Sequence, residues 1–207
     1  MNAATATPAA MRVGVLGGAF DPPHAAHVAL ATVAVANLQL DRLYIVPTGQ
    51  AWHKSTPLSP ARHRLAMARL AFAGVPQAVI DARETERAGP SYTVDTLREV
   101  KLQWPDAELY LIIGEDQARA LANWHEAQEV PRLAIICLAE RVLLTGDRTP
   151  FMPPKALEMR FRRLPMPAMP VSATEIRARV AAHISVVPLV IEPVARYIDE
   201  HHLYQTT

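Results

Sequence analysis

Residues 17–27 read GGAFDPPHAAH. Two glycines close an apolar run, and without side chains they leave room for an anion against the backbone. If a helix follows, its first turn turns free amides and the positive end of its dipole toward the same place. His24 and His27, three residues apart, would share one face of the first turns and could both reach an anion bound there. Pro22 and Pro23 restrict the entry to that helix, so the first turn is held in one geometry. The chemistry this order suits is the holding of phosphate. A second reading takes Asp21, His24 and His27 as metal ligands, but three candidates without a clear fourth make a weak structural site. Each feature alone also has a bland reading, a turn after a strand or a histidine in a helix.

Gly14, Gly17 and Gly18 do not spell GxGxxG, and GxxxxGK[ST] occurs nowhere in the chain. Both absences disfavour a hydride-transferring dinucleotide enzyme and a P-loop ATPase.

The elements that must position this stretch are legible as alternating patterns. RVGVLGG (12–18), RLYIVP (42–47), QAVIDA (77–82), ELYLIIG (108–114) and RLAIICLA (132–139) are β-branched apolar runs of strand length. Between them AAHVALATVAVANL (25–38), SPARHRLAMARLAF (59–72) and YTVDTLREVKLQ (92–103) carry apolar residues at helical spacing. Alternation of this kind predicts an α/β fold, a Rossmann-like, doubly wound parallel sheet with helices on both faces. Such sheets bind ligands at the carboxyl ends of their strands. Here those ends carry GGAFDPPH, PTGQAWHK and GEDQ.

Residues 145–170, rich in proline, arginine and methionine, are expected to cross the top of the sheet, with a possible short strand in MRFRRLPM (159–166). A C-terminal helical segment follows, one helix from Ser172 and then a helical start in PVARYIDEHHLY (193–204) with proline in its first turn.

The 207 residues suit one domain, 11–207, behind a leader, 1–10, expected to be disordered, with Met11 a candidate initiator. The net charge of +1, with acids and bases interspersed, offers no footprint for a nucleic-acid polymer or an anionic membrane, so a small-molecule ligand is expected. Cys137 is the one cysteine and sits in an apolar run, which suits a core position in a reducing compartment. Apolar runs fall short of a membrane span and the leader lacks signal-peptide character, so a cytoplasmic protein is expected.

GGAFDPPHAAH is similar to the GGxFDPxHxGH signature of nucleotidyltransferases with an HxGH-type motif. PTGQAWHK (47–54), GPSYTVDTL (89–97), IIGEDQARALANWHEAQEV (112–130) and VSATEIR (171–177) follow in an order that resembles the bacterial nicotinate-nucleotide adenylyltransferase family, from Met11 to Tyr204. GPSYTVDTL and the tryptophan after GxD are the more specific part. The resemblance implies that nicotinate mononucleotide attacks the α-phosphorus of ATP, giving nicotinate adenine dinucleotide and pyrophosphate. It implies Mg²⁺ held mainly by the triphosphate and water, with no protein metal site.

By the same resemblance His24, His27 and Arg177 are the catalytic residues, with Arg177 at the leaving pyrophosphate. Gly17, Gly18, Phe20, Gly114, Asp116, Ser172 and Thr174 join them in binding ATP. Lys54, Tyr92, Thr93 and Trp124 are implied to bind the mononucleotide: Lys54 at its phosphate, the start of the helix at Tyr92 and Thr93 at the carboxylate, and Trp124 on the pyridine ring. Lys54 alone reads as a solvated loop lysine, Ser172 with Glu175 as an ordinary capping box, and Trp124 equally as core. Three positions depart from the pattern: Ala26 for glycine, Ala173 for the second serine of ISSTxIR, and Glu115 for a small residue. The rival readings are a phosphopantetheine adenylyltransferase, an enzyme favouring nicotinamide mononucleotide, and a silent nucleotide sensor. The pyridine-type motifs weigh against the first and separate acid from amide less securely, and the intact His24, His27, Lys54 and Arg177 weigh against the sensor.

Overall fold

The computed structural model describes residues 10–50, 58–141 and 151–205. Period-two alternation in the apolar runs decides the layers. Leu16 of β1 (Arg12–Gly18), Leu43 and Ile45 of β2 (Arg42–Pro47), and Tyr110 and Ile112 of β4 (Glu108–Gly114) point to one face. Val13, Val15, Tyr44, Val46, Leu109, Leu111 and Ile113 point to the other. Because both faces of each strand are apolar, both must be covered.

The first face is covered by α1 (Ala25–Leu38), α2 (Ala61–Phe72), α7 (Ala173–Ala181) and α8 (Glu192–Glu200), through residues such as Ala34, Met67, Ile176 and Ile198. The second is covered by α4 (Thr93–Gln103), α5 (Glu115–Ala120) and α6 (Val130–Leu133), through Leu97, Ala118 and Val130. With β3 (Ala78–Ile80), β5 (Ile135–Arg141) and β6 (Phe161–Met166), the strands form one sheet in the order β3-β2-β1-β4-β5-β6. Every pairing is parallel. This is the expected doubly wound α/β sheet, and its order reverses between β1 and β4. Gly14 serves that sheet: a Cβ there would meet Leu40 Cδ1 at 2.6 Å and Leu43 Cδ1 at 2.8 Å.

Three boundaries differ from the sequence reading. The short strand read at 159–166, within the segment expected to cross the top of the sheet, forms as the sixth strand but starts at Phe161, with Ile136 opposite Phe161 and Arg141 opposite Met166. Alternation explains it: Leu164 and Met166 enter the core, the arginines stay outside, and the edge position tolerates Pro165. The fifth strand begins at Ile135 because Val130–Leu133 forms a helical turn with proline near its start. The third strand is three residues long, since the Asp81 side chain accepts the Arg83 amide at 2.9 Å and turns the chain into α3 (Arg83–Glu86). The C-terminal stretch has its expected helical start, α8, with proline in the first turn, and the helix stops at Glu200.

Candidate active site

All six strands run the same way, so Gly18, Pro47 and Gly114 end on one edge of the sheet. The point where the order reverses, between β1 and β4, is where such sheets open a crevice for ligand. Gly17 and Gly18 stand at one side of that crevice and Gly114, the N-cap of α5, at the other. Among the described residues a Cβ on Gly17 would meet nothing within 4 Å, whereas at Gly18 it would meet the Phe20 ring at 3.0 Å.

His24 is the N-cap of α1 and is buried, while His27 one turn on is half-buried. Their rings stack with centroids 3.7 Å apart and planes 20° apart. The His24 backbone N–H donates to His27 Nδ1 at 3.2 Å. With Nδ1 an acceptor, the neutral His27 ring carries its proton on Nε2 and presents a donor on its far side. Phe20, 1% exposed, packs edge-on against His27 at 5.1 Å and against Phe72 at 5.6 Å. Its ring therefore supports His27 from the core and is not itself open to ligand. The free amides expected at this helix start are partly engaged: Ala25 N–H donates to the Leu189 carbonyl at 2.9 Å and His27 N–H to the His24 carbonyl at 2.9 Å.

The loop between glycines and histidines is tied down by residues far away in sequence. Arg64, 2% exposed, donates to the Ala19 carbonyl at 3.0 Å and to the Ser59 carbonyl at 2.9 Å. Arg177 donates to the Asp21 carbonyl at 2.7 Å and to Thr174 Oγ1 at 3.3 Å. Arg177 thus stands beside the histidine loop with further N–H groups of its five to offer an anion. Ser172 caps α7, its hydroxyl accepting the Glu175 amide at 3.1 Å, as the capping-box reading anticipates. The Glu175 side chain turns instead to Arg179, at 3.1 Å. Ser172 and Thr174 are exposed at this end of α7.

Tyr92 is the N-cap of α4 and Thr93 its first residue. The neighbouring β2 loop is joined to this start: Gln50 bridges Pro90, and Ser91 N–H donates to the Gln50 carbonyl at 3.0 Å. Beneath lies Glu84, which sequence reasoning missed. It is 7% exposed and accepts the Thr96 hydroxyl at 2.7 Å. Burial pushes its pKa up, against the opposing pull of bonds from Thr96 and the Gly49 amide and of the Arg87 charge. Gly49 has no alternative here, because a Cβ would meet the Glu84 carbonyl oxygen at 1.8 Å. Lys54, together with Trp52 and His53, lies outside the described residues.

Trp124 is half-buried, packed with Tyr92 against the second face's core, and lines a surface depression of about 450 Å³ with Glu126 and Gln128. The adjacent His125, also missed, stacks on the Tyr92 ring at 4.2 Å. Asp116 is exposed in the first turn of α5. Of the departures, Ala26 packs against the first core, and Glu115 pairs with Arg119 while accepting the Phe151 amide at 3.0 Å. Glu115 therefore ties α5 to the segment leading into the sixth strand.

A parallel sheet with paired histidines and an arginine at its switch point is the architecture of a nucleotidyltransferase. Residues 15–179 match the family described as cytidylyltransferase-like. A protein of Albidiferax ferrireducens named "Probable nicotinate-nucleotide adenylyltransferase" is 64% identical over 195 residues, 94% of this chain and 98% of that one. Its namesake from Methylibium petroleiphilum is 45% identical, covering 93% of this chain and 92% of the other. The chain belongs to the nicotinate-nucleotide adenylyltransferases of this cytidylyltransferase-like family. In fold it is similar to the Plasmodium falciparum nicotinic acid mononucleotide adenylyltransferase solved with NaAD. That likeness has a TM-score of 0.69 at 20% identity and covers 94% of this chain and 97% of that chain.

Proposed function

We infer that this enzyme joins nicotinate mononucleotide to the AMP part of ATP, releasing pyrophosphate and forming nicotinate adenine dinucleotide for NAD biosynthesis. The observation that carries the reading is the meeting of His24, His27 and Arg177 beside Gly17 and Gly18 at the switch point, in a chain 64% identical to a relative of that name.

In the reaction a phosphate oxygen of the mononucleotide attacks the α-phosphorus of ATP in line, and the bond from that phosphorus to the α,β-bridging oxygen breaks. A phosphomonoester loses its second proton near pH ~6, so at neutral pH the attacker is mostly a dianion and needs no general base. The protein's task is to align two anions that repel each other and to supply donors where charge accumulates. His27 Nε2–H and the His24 ring are suited to the ATP phosphates. Arg177, with Ser172 and Thr174, is suited to the β and γ phosphates that depart. Gly17, Gly18, Gly114 and Asp116 border the nucleotide, and Phe20 contributes as the support of His27. For the mononucleotide, the start of α4 at Tyr92 and Thr93 suits the carboxylate, Trp124 the pyridine ring and Lys54 the phosphate.

Among the described residues no three His, Cys, Asp or Glu side chains converge as metal ligands. The ring nitrogens, hydroxyls and guanidinium at the strand ends fit a Mg²⁺ ion carried on the triphosphate's own oxygens, where it neutralises charge when bound. No described helix is long and apolar enough to cross a membrane. A cytoplasmic enzyme remains the reading, and the near-neutral charge suits small nucleotides over a nucleic-acid polymer.

The test is Mg²⁺-dependent pyrophosphate release from ATP with nicotinate mononucleotide, nicotinamide mononucleotide and phosphopantetheine as parallel acceptors. Selective release with the nicotinate form is expected. Release with phosphopantetheine alone would reassign the acceptor, and ATP binding with no release from any of the three would make the protein a sensor.

A further inference from the structure

Asp21 lies between the glycines and His24 and is 5% exposed. A carboxyl group so deeply placed must have its oxygens satisfied by the protein. Oδ2 accepts the Ser59 amide at 2.9 Å, just ahead of α2. Oδ1 accepts the Tyr204 hydroxyl at 2.6 Å, from 183 residues further along the chain. The Asp21 carbonyl in turn accepts Arg177. One residue of the phosphate loop thus gathers the entry to α2, the arginine of α7 and the C-terminal segment.

Tyr204 packs against the first core as well as bonding to Asp21. The last helix has ended at Glu200, and Tyr204 sits at φ 63°, a left-handed geometry that is uncommon for a bulky side chain. Such an outlier persists where its surroundings hold it, and here they include the bond to Asp21 and the packing on the first core, where the hydroxyl also lies 4.0 Å from Met67 Sδ. Burial, together with that bond, pushes the phenol's pKa up, so the hydroxyl keeps its proton and remains the donor.

We propose that Tyr204 is a positioning residue for the transfer reaction: through Asp21 it holds the histidine loop and Arg177 in register with each other. The bond leaves the substrates untouched. It sets where the His24 and His27 rings stand relative to the guanidinium, and misplacement by about 1 Å can cost on the order of a hundredfold in rate. The kinetic part of this proposal rests on the function inferred above.

Tyr204→Phe keeps the ring and removes the donor. In the full-length enzyme, kcat for pyrophosphate release should fall about tenfold while KM for ATP and for nicotinate mononucleotide stays within about twofold. In an Asp21→Ala background the same substitution should cost nothing further, because its route is already cut. Amide exchange across residues 17–28 needs no turnover and should accelerate in Tyr204→Phe, with exchange in β4 unchanged. A variant with a lower melting temperature but wild-type kcat and unchanged exchange at 17–28 would overturn the proposal, as would equal costs in the two backgrounds. A wild-type enzyme releasing no pyrophosphate would instead sink the inferred function and leave the exchange result to decide the role of Tyr204.

Discussion

The His24 amide occupies Nδ1 of His27, so a substitution at position 27 removes an Nε2 donor from a ring that only half belongs to the core. His27→Ala should lower kcat by about 10²–10³, the usual cost of one donor to a developing oxyanion, with an unchanged far-UV spectrum. Near-normal turnover in the folded variant would remove His27 from the mechanism. Gly17 offers a complementary probe, since a Cβ there meets nothing within 4 Å among the described residues. Gly17→Ala should melt within a few degrees of wild type yet raise KM for ATP, and an unaltered KM would place the nucleotide elsewhere. Of these residues, sequence reasoning identified the histidines and glycines by type and spacing. It could not see that Phe20 would turn inward, because the same motif reads identically whether that ring faces ligand or core.

Elements meet at this site through contacts that join segments far apart in sequence. The β2 loop and the start of α4 converge over Glu84, so Glu84→Gln should raise KM for nicotinate mononucleotide severalfold and leave KM for ATP alone. Equal changes in both would indicate general loosening. Helices α2 and α8 meet through His63, whose Nδ1 lies 3.0 Å from the Tyr197 hydroxyl and whose ring is 5.3 Å from that of His201. Desolvation, then Arg62 and His201, lower the His63 pKa from its ordinary value of 6.5. The native state therefore binds fewer protons here than the unfolded chain, so the contribution to stability is present above pH 6.5 and is lost as pH falls through the lowered value. Melting temperatures of wild type and His63→Phe, followed from pH 8 to 5, should converge as the wild type loses this contribution. Parallel curves would show that His63 does not titrate between the two states. Helix ends and strand ends shifted from expectation where a side chain intervened, as Asp81 did at the third strand.

At the scale of the whole molecule, the C-terminal helix belongs to the same apolar layer as α1 and α2, with Val194 0% and Ile198 2% exposed. Ile198→Ala should destabilise by about 2–5 kcal/mol, the range for a large buried aliphatic residue truncated to alanine. If residues 11–207 fold as one domain, the loss should shift far-UV signal and the fluorescence of Trp104 and Trp124, on the opposite face, along one common curve. A separate early transition for the C-terminal segment would divide the chain into two units.

By itself the sequence determined the α/β class, the strands that form the sheet centre and the residue types at its carboxyl edge. Hydrophobic period and glycine or proline placement are local properties, written within a few residues of where they act. Tertiary structure decided the strand order, the recruitment of Phe161–Met166 as the sixth strand and the burial of Glu84. It alone joined Tyr204 to Asp21 and Arg177 to the same loop. Those contacts depend on which distant segments the shared core brings together, and spacing along one chain carries no record of that distance.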